Sequence, residues 1–369
     1  MHPEFQQLMH QATQLTRSGD LAAATAAIQA ALRGGPPAVL RRQDDVDASD
    51  VIDVQAWEVP DSARAPDKAP DIPGDAARPA PRPAVSADTF TAGSFRNSSG
   101  QRAYKLYVPP NPDGAPRPLV VMLHGCTQDA DDFAAGTAMN EAAREQGFYV
   151  LYPVQSRSAN PQKCWNWFKH NHQQQGRGEP SILAGMTCEV MAAHPIDPAR
   201  VYVAGLSAGG AMAAILAGAY PELYAAAGVH SGLAAGAASD LPSALSAMKG
   251  AGLAPAGQAG SGVPTIVFHG DRDATVHPGN AESVIAASAG AGARAETQRV
   301  AGATGKRHST RHVYRNAAGD IVAERWDVHG AGHAWAGGTP NGSYTDGAGP
   351  DATAQMLRFF FERGSAGKH

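Results

Sequence analysis

Ser207 stands in a setting typical of a covalent nucleophile. It occupies the centre of Gly205-Leu206-Ser207-Ala208-Gly209, directly after four apolar residues and directly before a run of small residues. Strand, sharp turn and helix in that order form a nucleophile elbow, which lifts a serine hydroxyl to the apex of a strained turn. The pentapeptide alone is a weak signal because the chain holds 41 glycines. A structural turn is the alternative, and partner residues must decide between the two.

A serine hydroxyl needs a base to become a nucleophile, and the base needs an orienting carboxylate. In enzymes with this elbow, the carboxylate and then the histidine follow the serine along the chain. Asp271 and Asp273 both lie within five residues of the end of the apolar segment Thr265-Ile266-Val267-Phe268. We prefer Asp273 because His-Gly-x-x-Asp-x-x-Val is the spacing of this loop in many α/β-hydrolases. We expect Asp271 to brace the loop.

His333 is the candidate base among 14 histidines. It lies in the glycine-rich loop Gly330-Ala331-Gly332-His333, which follows a predicted strand ending near His329. That position places an imidazole after the acid and on the same side of a parallel sheet. We expect the other histidines of this region to be surface or packing residues; they are His308, His312 and His329.

A serine that attacks a carbonyl group also needs backbone amides that stabilise the charge developing on the carbonyl oxygen. One donor is expected from Ala208, the residue after the nucleophile. The second is expected from the loop after Leu119–Leu123, which begins His124-Gly125-Cys126. We therefore assign the second amide to Cys126, and we expect His124 to be a packed structural histidine.

Strands and helices alternate along most of the chain, which predicts an α/β fold with a mostly parallel, doubly wound sheet. This catalytic domain is assigned to residues 87–366. Apolar residues spaced three and four apart predict a helical hairpin over residues 1–33. Residues 34–86 are rich in Pro and Asp and are interpreted as a disordered linker.

Composition restricts the partners. The formal charge of −4 gives no reason to expect nucleic acid as a partner, and no apolar run is long enough to span a membrane. The first 20 residues lack a basic start and an apolar core, so a standard signal peptide is not expected and the cytoplasm is favoured. The three cysteines show no metal-binding spacing, and neither a metal nor a cofactor is expected.

Five motifs occur together in chain order, and as a set they resemble the polyhydroxybutyrate (PHB) depolymerase-type esterase family over residues 90 to 365. The resemblance implies an α/β-hydrolase fold, a Ser207–His333–Asp273 triad, and oxyanion donors at Cys126 and Ala208. The resemblance also favours export, whereas the lack of a recognisable signal peptide favours the cytoplasm. The motifs are Leu123-His124-Gly125-Cys126-Thr127-Gln128, Cys164-Trp165-Asn166-Trp167-Phe168, Gly205-Leu206-Ser207-Ala208-Gly209-Gly210, His269-Gly270-Asp271-Arg272-Asp273-Ala274-Thr275-Val276 and Gly330-Ala331-Gly332-His333-Ala334-Trp335.

The motifs suggest further residues around the site. Trp165, Trp167 and Trp335 are expected to line the acyl cleft, since flat aromatic side chains suit apolar ester chains; ordinary core packing is the alternative. A disulfide between Cys164 and Cys126 is one hypothesis for the cysteines, and three free thiols are the alternative. Cys188 is expected to be a buried small apolar residue.

The substrate expected from the resemblance is a short-chain hydroxyalkanoate ester, either a 3-hydroxybutyrate oligomer or a polyester. Related feruloyl and acetylxylan esterases share the catalytic domain, so those two activities are the alternatives among enzymes. Outside the enzymes, the predicted hairpin over residues 1–33 suggests a granule- or partner-binding protein, or self-association.

Overall fold

The computed structural model describes residues 87–111, 113–251, 262–290 and 292–364. The predicted hairpin at 1–33 and the predicted linker at 34–86 lie outside the described residues. Within the described ranges, no helix is long and apolar enough to cross a membrane.

Ten strands form a single sheet in the described part of the chain. Their order across the sheet is β1-β2-β4-β3-β5-β6-β7-β10-β9-β8. The strands are β1 (Thr89–Asn97), β2 (Gly100–Val108), β3 (Arg117–Leu123), β4 (Tyr149–Val154), β5 (Ile196–Leu206), β6 (Ala226–His230), β7 (Thr265–Gly270), β8 (Arg294–Val300), β9 (Ser309–Arg315) and β10 (Ile321–Val328). A separate parallel pair joins β11 (Trp335–Ala336) to β12 (Thr345–Asp346).

The six central strands, from β4 to β10 in sheet order, run parallel, and antiparallel strands flank them on both sides. The parallel strands are almost continuously apolar and buried, as in β3, where Leu119–Leu123 has no exposed surface. Such strands need helices on both faces. Because the strands are parallel, the residues after β3, β5, β7 and β10 meet at one edge of the sheet.

Helices cover both faces of the sheet, so the predicted α/β, doubly wound class is confirmed. The side chains of α3 to α6 pack on one face, and those of α1, α2 and α7 on the other. The helices are α1 (Ala130–Thr137), α2 (Met139–Gln146), α3 (Gly178–Ala193), α4 (Ala208–Ala219), α5 (Leu241–Met248), α6 (Gly279–Ala289) and α7 (Ala352–Gly364), with a short 3-10 turn at His170–His172.

Some features of these elements depend on more than the local sequence pattern. The helical segment 130–146 is divided into α1 and α2 by Ala138, which has a left-handed backbone with φ of 53°. Strand β8 was not predicted, because its segment Arg294–Val300 is polar and exposed. It forms by pairing with β9, a long-range contact that local periodicity does not record.

Candidate active site

Ser207 occupies the turn between β5 and α4 and has a strained backbone, with φ of 57° and ψ of −118°. A positive φ is uncommon for a residue other than glycine, and such outliers are often found at functional sites. The turn is fixed from both sides. The Ser207 amide donates to His230 O at 2.8 Å, and the Ser207 carbonyl accepts from the Ala211 amide at 2.9 Å.

The two glycines of the elbow allow α4 to approach the sheet closely. A Cβ atom on Gly209 would collide with the carbonyl oxygen of Leu123 and lie 2.6 Å from that of His124. A Cβ atom on Gly205 would collide with Gly209 itself. The motif therefore contains glycine at both positions because backbone occupies the space that a side chain would need.

His333 and Asp273 are joined by a short hydrogen bond, with 2.7 Å between His333 Nδ1 and Asp273 Oδ2. The other carboxylate oxygen, Oδ1, accepts the backbone amides of Thr275 and Val276, both at 2.9 Å. Asp273 is 5% exposed. Its carboxylate is thus held by both oxygens, and its orientation toward His333 is defined.

The Asp273 carboxyl is ionised despite its burial. Burial alone raises the pKa of a carboxyl, but hydrogen bonds from His269 and His333 outweigh that effect and hold the pKa of Asp273 well below its usual range. His269 Nε2 lies 3.4 Å from Asp273 Oδ2 and 2.9 Å from the carbonyl oxygen of Val276. The site therefore has a permanent negative charge behind the His333 ring.

The loops that carry Asp273 and His333 pack directly against each other. A Cβ atom on Gly270 would collide with Ala331 O, and the Arg272 amide donates to the same oxygen at 3.0 Å. Asp271 braces this contact, as expected, because its carboxylate accepts from the Gly330 amide at 2.7 Å and contacts His329 Nδ1 at 3.0 Å. The two aspartates of the loop thus hold two different histidines.

The loop after β3 lies next to the serine. A Cβ atom built on Gly125 would be 3.7 Å from Ser207 Cβ, and the Gly125 amide donates to Gln128 Oε1 at 2.9 Å. Cys126 follows and faces the same cavity as Ser207. Ala208 is the first residue of α4, so its amide has no partner within the helix. Both residues whose amides were assigned from the sequence are therefore close to the serine.

A disulfide joins Cys126 to Cys164 and connects this loop to the segment after β4. The Thr127 amide strengthens the connection by donating to Gln162 O at 2.7 Å. Cys188, expected to be buried, is exposed and not in a disulfide. It lies on the solvent side of α3, where a helical segment rich in small residues gives little indication of which face is inward.

The expectation that three tryptophans line the cleft is wrong. Trp165, Trp167 and Trp335 are 0%, 5% and 1% exposed and belong to the two main core clusters. The Trp165 indole donates to the His124 carbonyl, and the Trp335 indole donates to Thr353 Oγ1, both at 3.1 Å. The indole nitrogens of Trp165 and Trp335 are thus used inside the protein, and all three rings pack in the core rather than in the cleft.

A cavity of about 220 Å³ opens over the serine. Two residues that line it were not predicted from the sequence: Met248, at the end of α5, and Tyr344, which is 48% exposed. Neither residue belongs to a motif, and no sequence signal identifies them. The lining residues are Gly125, Cys126, Gln128, Leu206, Ser207, Met248, Thr275, His333 and Tyr344.

Two other histidines near the site are buried. His124, expected to be packed, is 1% exposed and its Nε2 accepts the Gln155 amide at 3.1 Å. His230 lies between the rings of Phe268 and Trp335. Among the described residues, no group of three or more His, Cys, Asp or Glu side chains could hold a metal ion.

Residues 102–310 match the family described as esterase PHB depolymerase. Poly(3-hydroxyalkanoate) depolymerase C of Paucimonas lemoignei is 34% identical over 243 residues, 62% of this chain and 57% of that protein. Acetylxylan esterase A of Talaromyces purpureogenus is 32% identical over 219 residues, 52% of this chain and 55% of that protein. The chain therefore spans little more than half the length of these two relatives.

Among solved structures, the acetyl xylan esterase from Aspergillus awamori is similar in fold, with a TM-score of 0.56 and 20% identity. The similarity covers 73% of this chain and 99% of that one. At this identity the likeness concerns the fold alone, an α/β-hydrolase. Because the matched residues 102–310 make up more than half of the 369 residues, the chain belongs to the esterase PHB depolymerase family.

Proposed function

We propose that this protein is a serine carboxylesterase that hydrolyses the ester bonds of short-chain 3-hydroxyalkanoates, such as 3-hydroxybutyrate oligomers. One observation carries the proposal: Ser207 and His333 line the same cavity, and His333 is bonded on its far side to the buried, ionised Asp273. A nucleophile, a base and an orienting acid in this relation are the parts of an acyl-transfer site.

In the proposed mechanism Ser207 Oγ attacks the ester carbonyl, and His333 Nε2 accepts its proton. Asp273 holds the ring with Nδ1 protonated and stabilises the imidazolium that forms. The amides of Cys126 and Ala208 donate to the oxyanion of the tetrahedral intermediate. His333 then returns the proton to the leaving alcohol, and water releases the acyl group from Ser207 by the same route.

The cavity supports a small acyl group. Its volume of about 220 Å³ is below the range of about 300–1,000 Å³ typical of ligand sites. Leu206, Met248 and Tyr344 supply apolar walls, and Ser207 and His333 supply the polar groups. A depolymerase acting on poly(3-hydroxyalkanoate) among the relatives supports the same substrate class.

A hydrolysis panel tests the proposal on the full chain. It compares 3-hydroxybutyrate oligomers, p-nitrophenyl esters of increasing acyl length, methyl ferulate and acetylated xylan. We expect turnover of the oligomers and of the short p-nitrophenyl esters, with rates that fall as the acyl chain lengthens. A Ser207→Ala variant should abolish all turnover; activity that survives this substitution would contradict the proposed nucleophile.

Feruloyl and acetylxylan esterase activities are the alternatives, since acetylxylan and feruloyl esterases are among the relatives. Preferred hydrolysis of methyl ferulate or of acetylated xylan would select one of them and leave the Ser207 mechanism unchanged. Self-association or partner binding through residues 1–33 is a separate proposal. Light scattering on the full chain tests self-association, and a monomer across the working concentration range would contradict it.

A further inference from the structure

Glu179, in the first turn of α3, is a buried carboxylate that the proposed mechanism does not use. Its exposed fraction is 1%. Oε1 accepts from Arg102 Nη2 at 3.0 Å, from Gln155 Nε2 at 2.5 Å and from Asn166 Nδ2 at 2.7 Å. Oε2 accepts the Asn166 backbone amide at 2.7 Å. Four donor atoms from three residues therefore converge on one side chain.

The Glu179 carboxylate is charged in this setting. Burial would raise its pKa, but contacts with His172, Gln155 and Asn166 reverse the effect and lower the pKa to about 2. The Arg102 guanidinium supplies the compensating positive charge, and its Nε donates to Gln155 Oε1 at 2.7 Å. A buried charge with this many partners tolerates little displacement of those partners, because each lost hydrogen bond leaves it undersolvated.

The partners of Glu179 are also the residues that hold the loop after β3. The backbone amide of Gln155 donates to His124 Nε2 at 3.1 Å, and its side-chain Nε2 donates to Cys164 O at 3.0 Å. Cys164 forms the disulfide to Cys126. Trp165, next to the Glu179-bound Asn166, donates to the His124 carbonyl at 3.1 Å. Hydrogen bonds and one covalent bond thus connect Glu179 to both ends of His124-Gly125-Cys126.

We propose that Glu179 is a positioning residue for the oxyanion hole, which places the Cys126 amide by fixing Gln155 and the segment 155–166 that carries Cys164. The inference rests on the proposed function, because it concerns the amide that the mechanism assigns to Cys126. Glu179 lies on α3, outside the cavity, and would contribute to transition-state stabilisation through the residues it holds. A loop held only by its disulfide would keep Cys126 near the site without setting the direction of its N–H.

The test compares wild type with Glu179→Gln, which keeps the shape of the side chain and removes its charge. The control is Glu189→Gln on the same helix, where the side chain is exposed. Three quantities are measured on a short p-nitrophenyl ester: kcat, KM, and the pH midpoint of kcat. The fourth is the inhibition constant of a trifluoromethyl ketone, which binds Ser207 as a hemiketal whose oxyanion needs the hole. Active enzyme is counted with a stoichiometric organophosphonate.

Removing an oxyanion donor outright costs about 100- to 1,000-fold in kcat, so a displaced donor should cost about tenfold. We expect Glu179→Gln to lower kcat per active site about tenfold and to raise the inhibition constant of the ketone by a similar factor. KM and the pH midpoint should stay as in wild type and in Glu189→Gln. A purely structural role would reduce the number of active sites and the melting temperature while each remaining site kept its ketone affinity, and that result would overturn the proposal.

A second variant, Asn166→Ala, keeps the Arg102–Glu179 pair and removes the side-chain bond from Asn166 to Glu179. We expect smaller losses than in Glu179→Gln, with kcat and ketone affinity again reduced by similar factors. Unchanged ketone affinity in this variant would show that the network serves stability alone. If wild type itself hydrolyses no ester, the proposed function fails; if wild type is active and both variants match it, only the inference about Glu179 fails.

Discussion

His333 Nδ1 lies 2.7 Å from Asp273 Oδ2, and the same carboxylate is held on its other oxygen by two backbone amides. Asp273 therefore cannot turn away from the ring, and the ring must present its Nδ1 proton to the carboxylate. This leaves Nε2 of the neutral imidazole as the acceptor, which the proposed proton transfer from Ser207 requires.

Asp273→Asn should lower kcat by about 10⁴ with little change in KM, because an amide favours the wrong tautomer of His333. The control is Asp271→Asn in the same loop, whose carboxylate contacts His329 and the Gly330 amide. We expect that variant to stay within a few-fold of wild type. Steady-state kinetics on a short p-nitrophenyl ester decide the question; similar losses in both variants would argue against the assignment of Asp273 as the acid.

Gly209→Ala should destabilise the elbow, because the new Cβ would collide with backbone that has no room to move. Overpacking of this kind costs about 1–3 kcal/mol in the free energy of unfolding, and a shifted Ser207 should also lower kcat. Gly218→Ala in the same helix meets no atom within 4 Å and should be neutral or stabilising by up to about 1 kcal/mol. Urea denaturation of both variants measures the difference, and equal stabilities would contradict this account of the motif.

Cys164→Ser should remove the Cys126–Cys164 disulfide, which closes a loop of 38 residues. The chain-entropy relation gives a loss of about 4 kcal/mol in the free energy of unfolding for a loop of this length. Activity should fall as well, since Cys126 is proposed to supply an oxyanion donor. Cys188→Ser, at an exposed thiol, is the control and should change stability by no more than about 0.5 kcal/mol. Calorimetry and kinetics on the two variants check both expectations.

Stability should fall as the pH drops below neutrality, because two buried histidines stay neutral in the fold. Burial lowers the pKa of His124 to about 4 and that of His230 to about 3. In the unfolded chain each imidazole takes up a proton near pH 6.5, so between about pH 6.5 and pH 4 the unfolded state binds up to two more protons than the folded state. Their contribution is therefore full above about pH 6.5 and is lost progressively below it.

From pH 7.5 to pH 5 these two histidines should lower the free energy of unfolding by about 4 kcal/mol. His230→Gln should reduce that drop to about 2 kcal/mol, because only the contribution of His124 remains. Urea denaturation at the two pH values provides the measurement. A stability that is flat across this range in wild type would show that the rings are protonated or accessible in the folded state.

Much of the candidate active site could be predicted because its residues follow strands whose apolar character is local. Ser207, Asp273, His333 and Cys126 each come a few residues after a buried parallel strand, and parallel strands bring their carboxyl ends to one edge. Strand composition and chain order were therefore enough to expect these residues at a common site. The glycines of the elbow also indicated a close approach of helix and strand, since backbone contact leaves glycine as the only residue that fits.

Other features depended on contacts that no local pattern records. A tryptophan beside a catalytic motif gives the same sequence pattern whether its ring faces a cleft or the core. In the structure the rings of Trp165 and Trp335 are buried in the core. Met248 and Tyr344 became cavity walls because α5 and a distant loop reach the serine in space. The sequence alone determined the chain order and chemistry of the proposed reacting groups. Tertiary packing decided which side chains surround them and which partners enclose the buried Glu179, since burial depends on neighbours far away along the chain.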